Sequence, residues 1–154
     1  MKVLLVAAVL CAIAPSPTDD DPVPYPAGYR SWAHVASSMI AGGGMASGGI
    51  HNIYANEAAL AGYRTGRFAD GAVIVGDLLE ARAGSITTSG TRIRVAVMHR
   101  DSARFAATGG WGFEQFRGDS RTDRMLDGLG GASRCFGCHT SRAQSSFVFS
   151  SWRE

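Results

Sequence analysis

Apolar and polar positions along the chain follow two periods, and each predicts an element. Residues 91–99, TRIRVAVMH, put Ile93, Val95 and Val97 on one side and Arg92, Arg94, Ala96 and Met98 on the other. That period of two belongs to a strand facing two environments. Ala72 to Leu79, after the turn pair Asp70-Gly71, reads as a largely buried strand, and Ile50 to Ala55 as a short β-branched and aromatic one. Between them Asn56-Glu57 opens an Ala/Leu-rich helix to about Tyr63, stopped near Gly66. Gly109 to Phe116, GGWGFEQF, suits a further strand. Residues 29–41, YRSWAHVASSMIA, space Trp32, Val35, Met39 and Ile40 along one helical stripe and predict an amphipathic helix. Gly42 to Gly49 and Gly128 to Ala132 read as loops, and no internal repeat is present.

Composition narrows the fold class. The 154 residues suit one domain, and 45% apolar with 18% charged residues is enough to fill a core. Twenty glycines argue against a helical bundle, since each costs about 1 kcal/mol in a helix interior relative to alanine. The expectation is α+β: an antiparallel, sheet-rich single domain flanked by a few helices. The net charge of +2 comes from 15 bases and 13 acids without a basic run, which excludes nucleic acid as a natural partner. Lys2 is the only lysine.

The amino terminus has its own character. Residues 1–14, MKVLLVAAVLCAIA, join one cation, an apolar stretch and a small-x-small triplet, the pattern of a secretory signal peptide. The stretch is too short to span a bilayer. Residues 15–28 hold all five prolines and a triple Asp and predict an extended, solvated leader. The domain is then expected over 29–154, in an exported, periplasmic protein. Removing the signal would leave two cysteines, four histidines and no lysine.

Residues 135–139 read Cys-Phe-Gly-Cys-His, the C-x-x-C-H haem attachment pattern. Two intervening residues let one turn of backbone present both thiols to one porphyrin edge, and the next side chain then reaches the iron. One covalently attached haem c is therefore expected, on Cys135 and Cys138, with His139 on the metal. Three other readings compete. A thioredoxin-like pair needs an early strand-turn-helix setting. A Cys135–Cys138 disulfide leaves His139 without a role. Zinc on Cys135, Cys138 and His139 needs a distant histidine as its fourth ligand.

With these strand signals the chain resembles the cytochrome P-460 family, which includes the cytochromes c-prime-beta. The matching stretches are Tyr29–Trp32, His51–Asn56, Gly66–Val75, Asp101–Phe105, Gly109–Phe113, and Cys135–Thr140 followed by Val148-Phe149. The resemblance implies a sheet-rich, usually dimeric fold, with the motif histidine proximal to the haem and the distal position open. In the hydroxylamine-oxidising members a lysine crosslinks to the porphyrin. Gly76 stands at that position here, and Ala96 at that of a distal carboxylate.

If Gly76 and Ala96 face the haem, alternation puts Ile74 and Leu78 beside the first, and Arg94 and Met98 beside the second. His51, where active members have arginine, shares a face with Ile53 and Ala55 and is a candidate distal acid or base. Met98 is a candidate sixth ligand. His34 is expected on a helix flank and His99 in solvent at a strand end. Trp32, Trp111, Phe113, Phe147 and Phe149 read as core or haem wall. Arg30, Arg134 and Arg142 are candidates for the haem propionates. The function this predicts is binding of a small diatomic such as nitric oxide, or transfer of single electrons to an unidentified redox partner. The alternative is a hydroxylamine- or peroxide-dependent oxidoreductase.

Overall fold

The computed structural model describes residues 23–41, 48–126 and 128–153. The expected signal segment, residues 15–22 of the leader and most of the glycine loop after Ala41 lie outside these. Five strands form one antiparallel sheet in chain order: β1 (Ala33–Ile40), β2 (Gly49–Ala55), β3 (Val73–Arg82), β4 (Thr88–Arg100) and β5 (Trp111–Arg117). Two helices, α1 (Glu57–Thr65) and α2 (Gly128–His139), complete the expected α+β domain, with short 3-10 turns at Tyr29–Ser31, Ala106–Thr108 and Thr140–Ser145.

α1 begins where its sequence signals. The Asn56 side chain accepts from the Ala59 N–H at 2.9 Å and from the Val73 N–H at 3.0 Å, so one residue caps the helix and ties it to β3. Gly66, with φ of 74°, closes the helix in the left-handed conformation.

Two expectations fail for identifiable reasons. Residues 33–40 form β1, not a helix. The register of β1 on β2 slips between His34 and Ala36, so Val35 is bulged out of the ladder. One extra residue breaks the period of two and mimics a helical stripe. The supposed stripe is also divided: Val35 is buried, Trp32 packs on the opposite cluster, and Met39 is exposed. The second failure is Gly128–Ala132, which belongs to α2. The helix packs against β5, and buried Gly131 sits so close to Leu126 that a β-carbon would come within 2.7 Å of it. Close packing there overrides glycine's poor propensity.

The sheet has a core on each face. One gathers Val35, Ala55, Ala59, Ile74, Trp111, Phe113 and Val148; the other gathers Val23, Tyr29, Val75, Val95, Val97, Phe105 and Phe116. The chain packs onto the fold from Val23, not Tyr29: Val23 and Pro26 are buried, and the Val23 carbonyl accepts from Arg124 at 2.9 Å. The last part of the expected leader is thus domain. Segment 123–125 covers the β5 edge through bonds between Arg117 and Asp123 and between Met125 and Gln115.

Candidate functional site

Between the first sheet face and the C-terminal segment lies a cavity of about 510 Å³, within the range of cofactor pockets. The register builds its wall. One row across the sheet runs Ala36, Ile53, Gly76, Ala96, Gln115; the next runs Ser38, His51, Leu78, Arg94, Arg117. A third brings Ile74, Met98 and Phe113 side by side. Small residues at three of the five positions in the first row leave a shallow trough, over which the His51 imidazole lies at Gly76. Gly76 and Ala96 are in that trough, with Ile74 and Met98 lining the same cavity.

Facing this wall is the end of α2. Cys135, Cys138 and His139 occupy positions i, i+3 and i+4, so the helix gathers all three on one side. Both thiols are free; Cys135 is half-buried in the cavity lining and Cys138 is exposed. Burial pushes the Cys135 thiol up, against the fields of Arg134 and Arg94.

His139 has a defined tautomer. Its Nδ1 lies 2.7 Å from the Phe147 carbonyl oxygen, which can only accept, so Nδ1 donates and Nε2 keeps its lone pair. Burial holds the imidazole below its ordinary pKa and therefore neutral. Phe113 and Phe149 flank the ring at 5.0 and 4.9 Å between centroids.

His51 faces His139's side of the cavity from β2 and is kept neutral by burial and by the field of Arg94. Arg94 was not singled out by sequence as an anion partner. It is half-buried on the same face, and among the described residues no carboxylate pairs with it. The signal was available, since Arg94 is on the Ala96 side of an alternating strand.

Other expected partners go elsewhere. Arg30 bonds Asp77 at 3.2 Å on the opposite face, which removes it from the propionate candidates. Arg134 is exposed on α2, and Arg142 lies over the Phe149 ring at 5.2 Å, at the cavity rim. His34 is exposed on a strand, not a helix, within 2.9 Å of Ser37 Oγ. His99 is half-buried beside Phe105 instead of solvated. Trp111 and Phe113 are core, Trp32 packs on the other face, and Phe149 lines the cavity while half exposed.

The donor set fits a haem: two free thiols on one helix face, an imidazole with its Nε2 lone pair available, and an apolar trough opposite. Among the described residues no group of three or more His, Cys, Asp or Glu side chains is arranged to hold a metal ion by itself. No curated protein matches the chain. The family model described as Cytochrome P460 matches residues 26–150, most of the chain. That stretch includes every strand of the sheet and the Cys135–His139 helix end, and the chain belongs to the cytochrome P460 family of haem proteins.

Proposed function

We propose that this protein is an exported, mono-haem c-type cytochrome that binds a small diatomic such as nitric oxide on an open distal side, or passes single electrons. Cys135 and Cys138 carry the haem through thioether links and His139 Nε2 takes the proximal position. The observation that carries this reading is the His139–Phe147 bond, which aims a neutral, basic nitrogen toward a trough of small residues.

When bound, the haem supplies a redox-active iron with one position for an exogenous ligand. The rest is done by the chain. Phe147 orients His139. Ile53, Ile74, Met98 and Phe113 exclude water, which favours an uncharged diatomic over a hydrated ion. His51 offers a neutral imidazole that donates one hydrogen bond to a ligand in the trough.

Absorption spectra of the ferric and ferrous holoprotein, with and without nitric oxide, test the reading. A five-coordinate ferrous form that shifts on adding the gas supports it. A six-coordinate, low-spin ferrous form indifferent to nitric oxide and carbon monoxide overturns the gas-binding half. The chain mass decides covalent attachment and export together: it should equal the polypeptide without its signal plus one haem.

One observation favours a second reading. His51 lines the cavity, which supports a role as acid-base group in peroxide or hydroxylamine turnover, although Gly76 stands where the resemblance puts the crosslinking lysine. Steady-state rates that are equal in wild type and His51→Ala would count against it. Homodimerisation is implied by the family resemblance, and sedimentation of the holoprotein tests it.

A further inference from the structure

His139 is oriented by a carbonyl whose own position is unusual. Ser146 and Phe147 are the two non-glycine residues with positive φ among the described residues, at 53° and 66°. L-residues avoid this region because Cβ crowds the following carbonyl oxygen. Two such residues in succession turn the chain so that the Phe147 carbonyl points back at His139 Nδ1. A strained pair persists only where its surroundings over-determine it.

Local bonds supply part of the restraint: Phe147 N–H donates to Arg142 at 2.8 Å, and Ser146 Oγ to the Gly66 carbonyl at 3.1 Å. The contact from the sheet is different in kind. Trp111, fully buried at the start of β5, donates its indole Nε1–H to the Ser146 carbonyl at 2.9 Å. The indole is itself fixed, edge-on to Phe68 with centroids 5.5 Å apart, while its own carbonyl accepts from Thr108 Oγ1 at 2.6 Å. Rigid core thus reaches the proximal histidine in three bonded steps: Trp111 to Ser146, through one peptide to Phe147, and on to His139.

We propose that Trp111 is a positioning residue for the proximal ligand: by holding the Ser146 carbonyl it keeps the Phe147 carbonyl on His139 Nδ1 and so sets how strongly Nε2 donates to iron. This rests on the reading of His139 as the axial ligand. A hydrogen bond from the non-ligating nitrogen makes an imidazole a stronger donor, so losing it weakens the iron–nitrogen bond and favours the reduced state.

The test uses the ferrous holoprotein. In Trp111→Phe the iron–histidine stretching band in resonance Raman should move to lower frequency and the reduction potential should rise. Phe116→Leu, a fully buried change on the other sheet face, is the stability control. It should lower the melting temperature while leaving both signatures in place. An unmoved band in Trp111→Phe, or an equal shift in Phe116→Leu, overturns the proposal. In a five-coordinate, high-spin ferrous wild type, absence of the iron–histidine band instead removes the assignment of His139, and the proposal falls with it. Should Trp111→Phe take up no haem, hydrogen exchange in the unmodified carbon-monoxide complex decides. The Trp111 indole proton and the His139 Nδ1 proton should exchange with a common protection factor, and independent rates overturn the relay.

Discussion

The His51 imidazole lies over the α-carbon of Gly76: a β-carbon built there would be 2.3 Å from Nε2. The register makes this a diagonal contact, since Ile53 is directly across from Gly76 and His51 from Leu78. A side chain at position 76 and the imidazole in this orientation exclude each other. The position that resemblance gives to the crosslinking lysine is therefore the floor under a histidine here.

A mutant cycle reads that exclusion directly. Gly76→Ala should destabilise the wild-type holoprotein by about 1–3 kcal/mol, the usual range for overpacking, and much less in a His51→Ala background. Urea unfolding of the four variants gives the coupling. Equal costs in both backgrounds would mean that the imidazole does not occupy that space.

On the opposite face, Asp77 is buried and takes bonds from Tyr29 Oη at 2.8 Å, Arg92 Nε at 2.7 Å and Arg30 at 3.2 Å. Arg92 is also largely buried, with its side chain 10% exposed, and it bonds Asp119 as well. Asp77→Asn removes the charge and weakens the bonds that Arg92 and Tyr29 make to it, while Arg92 keeps Asp119, a change that costs about 1–3 kcal/mol. The loss should appear in urea unfolding with the haem spectrum unchanged, because Asp77 points away from the cavity. A change in the haem spectrum of Asp77→Asn would contradict the two-faced sheet.

How much of this could be read from residues depends on range. Alternation in 94–98 and the glycine at 76 were enough to place Ile74, Gly76, Ala96 and Met98 on one face, because strand period is a local property. Arg92, expected on that face, turns to Asp77 on the other because the register slips between Arg94 and Arg92. The bulge at Val35 disguised β1, since a single unpaired residue shifts the phase of every later position. α2 was disguised by its glycines, of which Gly131 is buried against Leu126, a contact that local propensity does not register. Phe147 was named only as an aromatic. Its role comes from a backbone carbonyl turned by two positive φ angles, and side-chain identity carries no signal of that. Arg94 stood on the correct face, but its lack of a carboxylate partner is a fact of three dimensions.

Acid should weaken the fold through two half-buried histidines, His51 and His99. Burial lowers the pKa of His51, helped by Arg94, and of His99, helped by Arg104 against the opposing fields of Asp101 and Asp70. Both are neutral in the fold at pH values where the unfolded chain, with histidines near 6.5, has begun to bind protons. The unfolded state then holds more protons, so stability rises with pH through this window. It is complete above the unfolded pKa of about 6.5 and is lost as pH falls through the depressed folded values. Denaturant midpoints of the holoprotein measured between about pH 8 and pH 5 should show the fall, and the His51→Gln, His99→Gln double variant should flatten it. An unchanged slope in the double variant would assign the effect to other groups.

Met98 separates an iron ligand from a wall. Its strand partners are Ile74 and Phe113, and it packs against the buried cluster that contains both. The small residues Gly76 and Ala96 occupy the neighbouring row of the sheet. A thioether in this setting fills space among apolar neighbours, and leucine of similar volume replaces methionine at a cost usually below about 1.5 kcal/mol. Met98→Leu should therefore leave the ferric and ferrous spectra as they are and change nitric oxide affinity little. A ligating sulfur predicts the opposite: a six-coordinate, low-spin wild type, and conversion to a high-spin form in the variant. The ferrous spectrum of that one substitution assigns the distal side either to His51 and exogenous ligands or to the chain's own methionine.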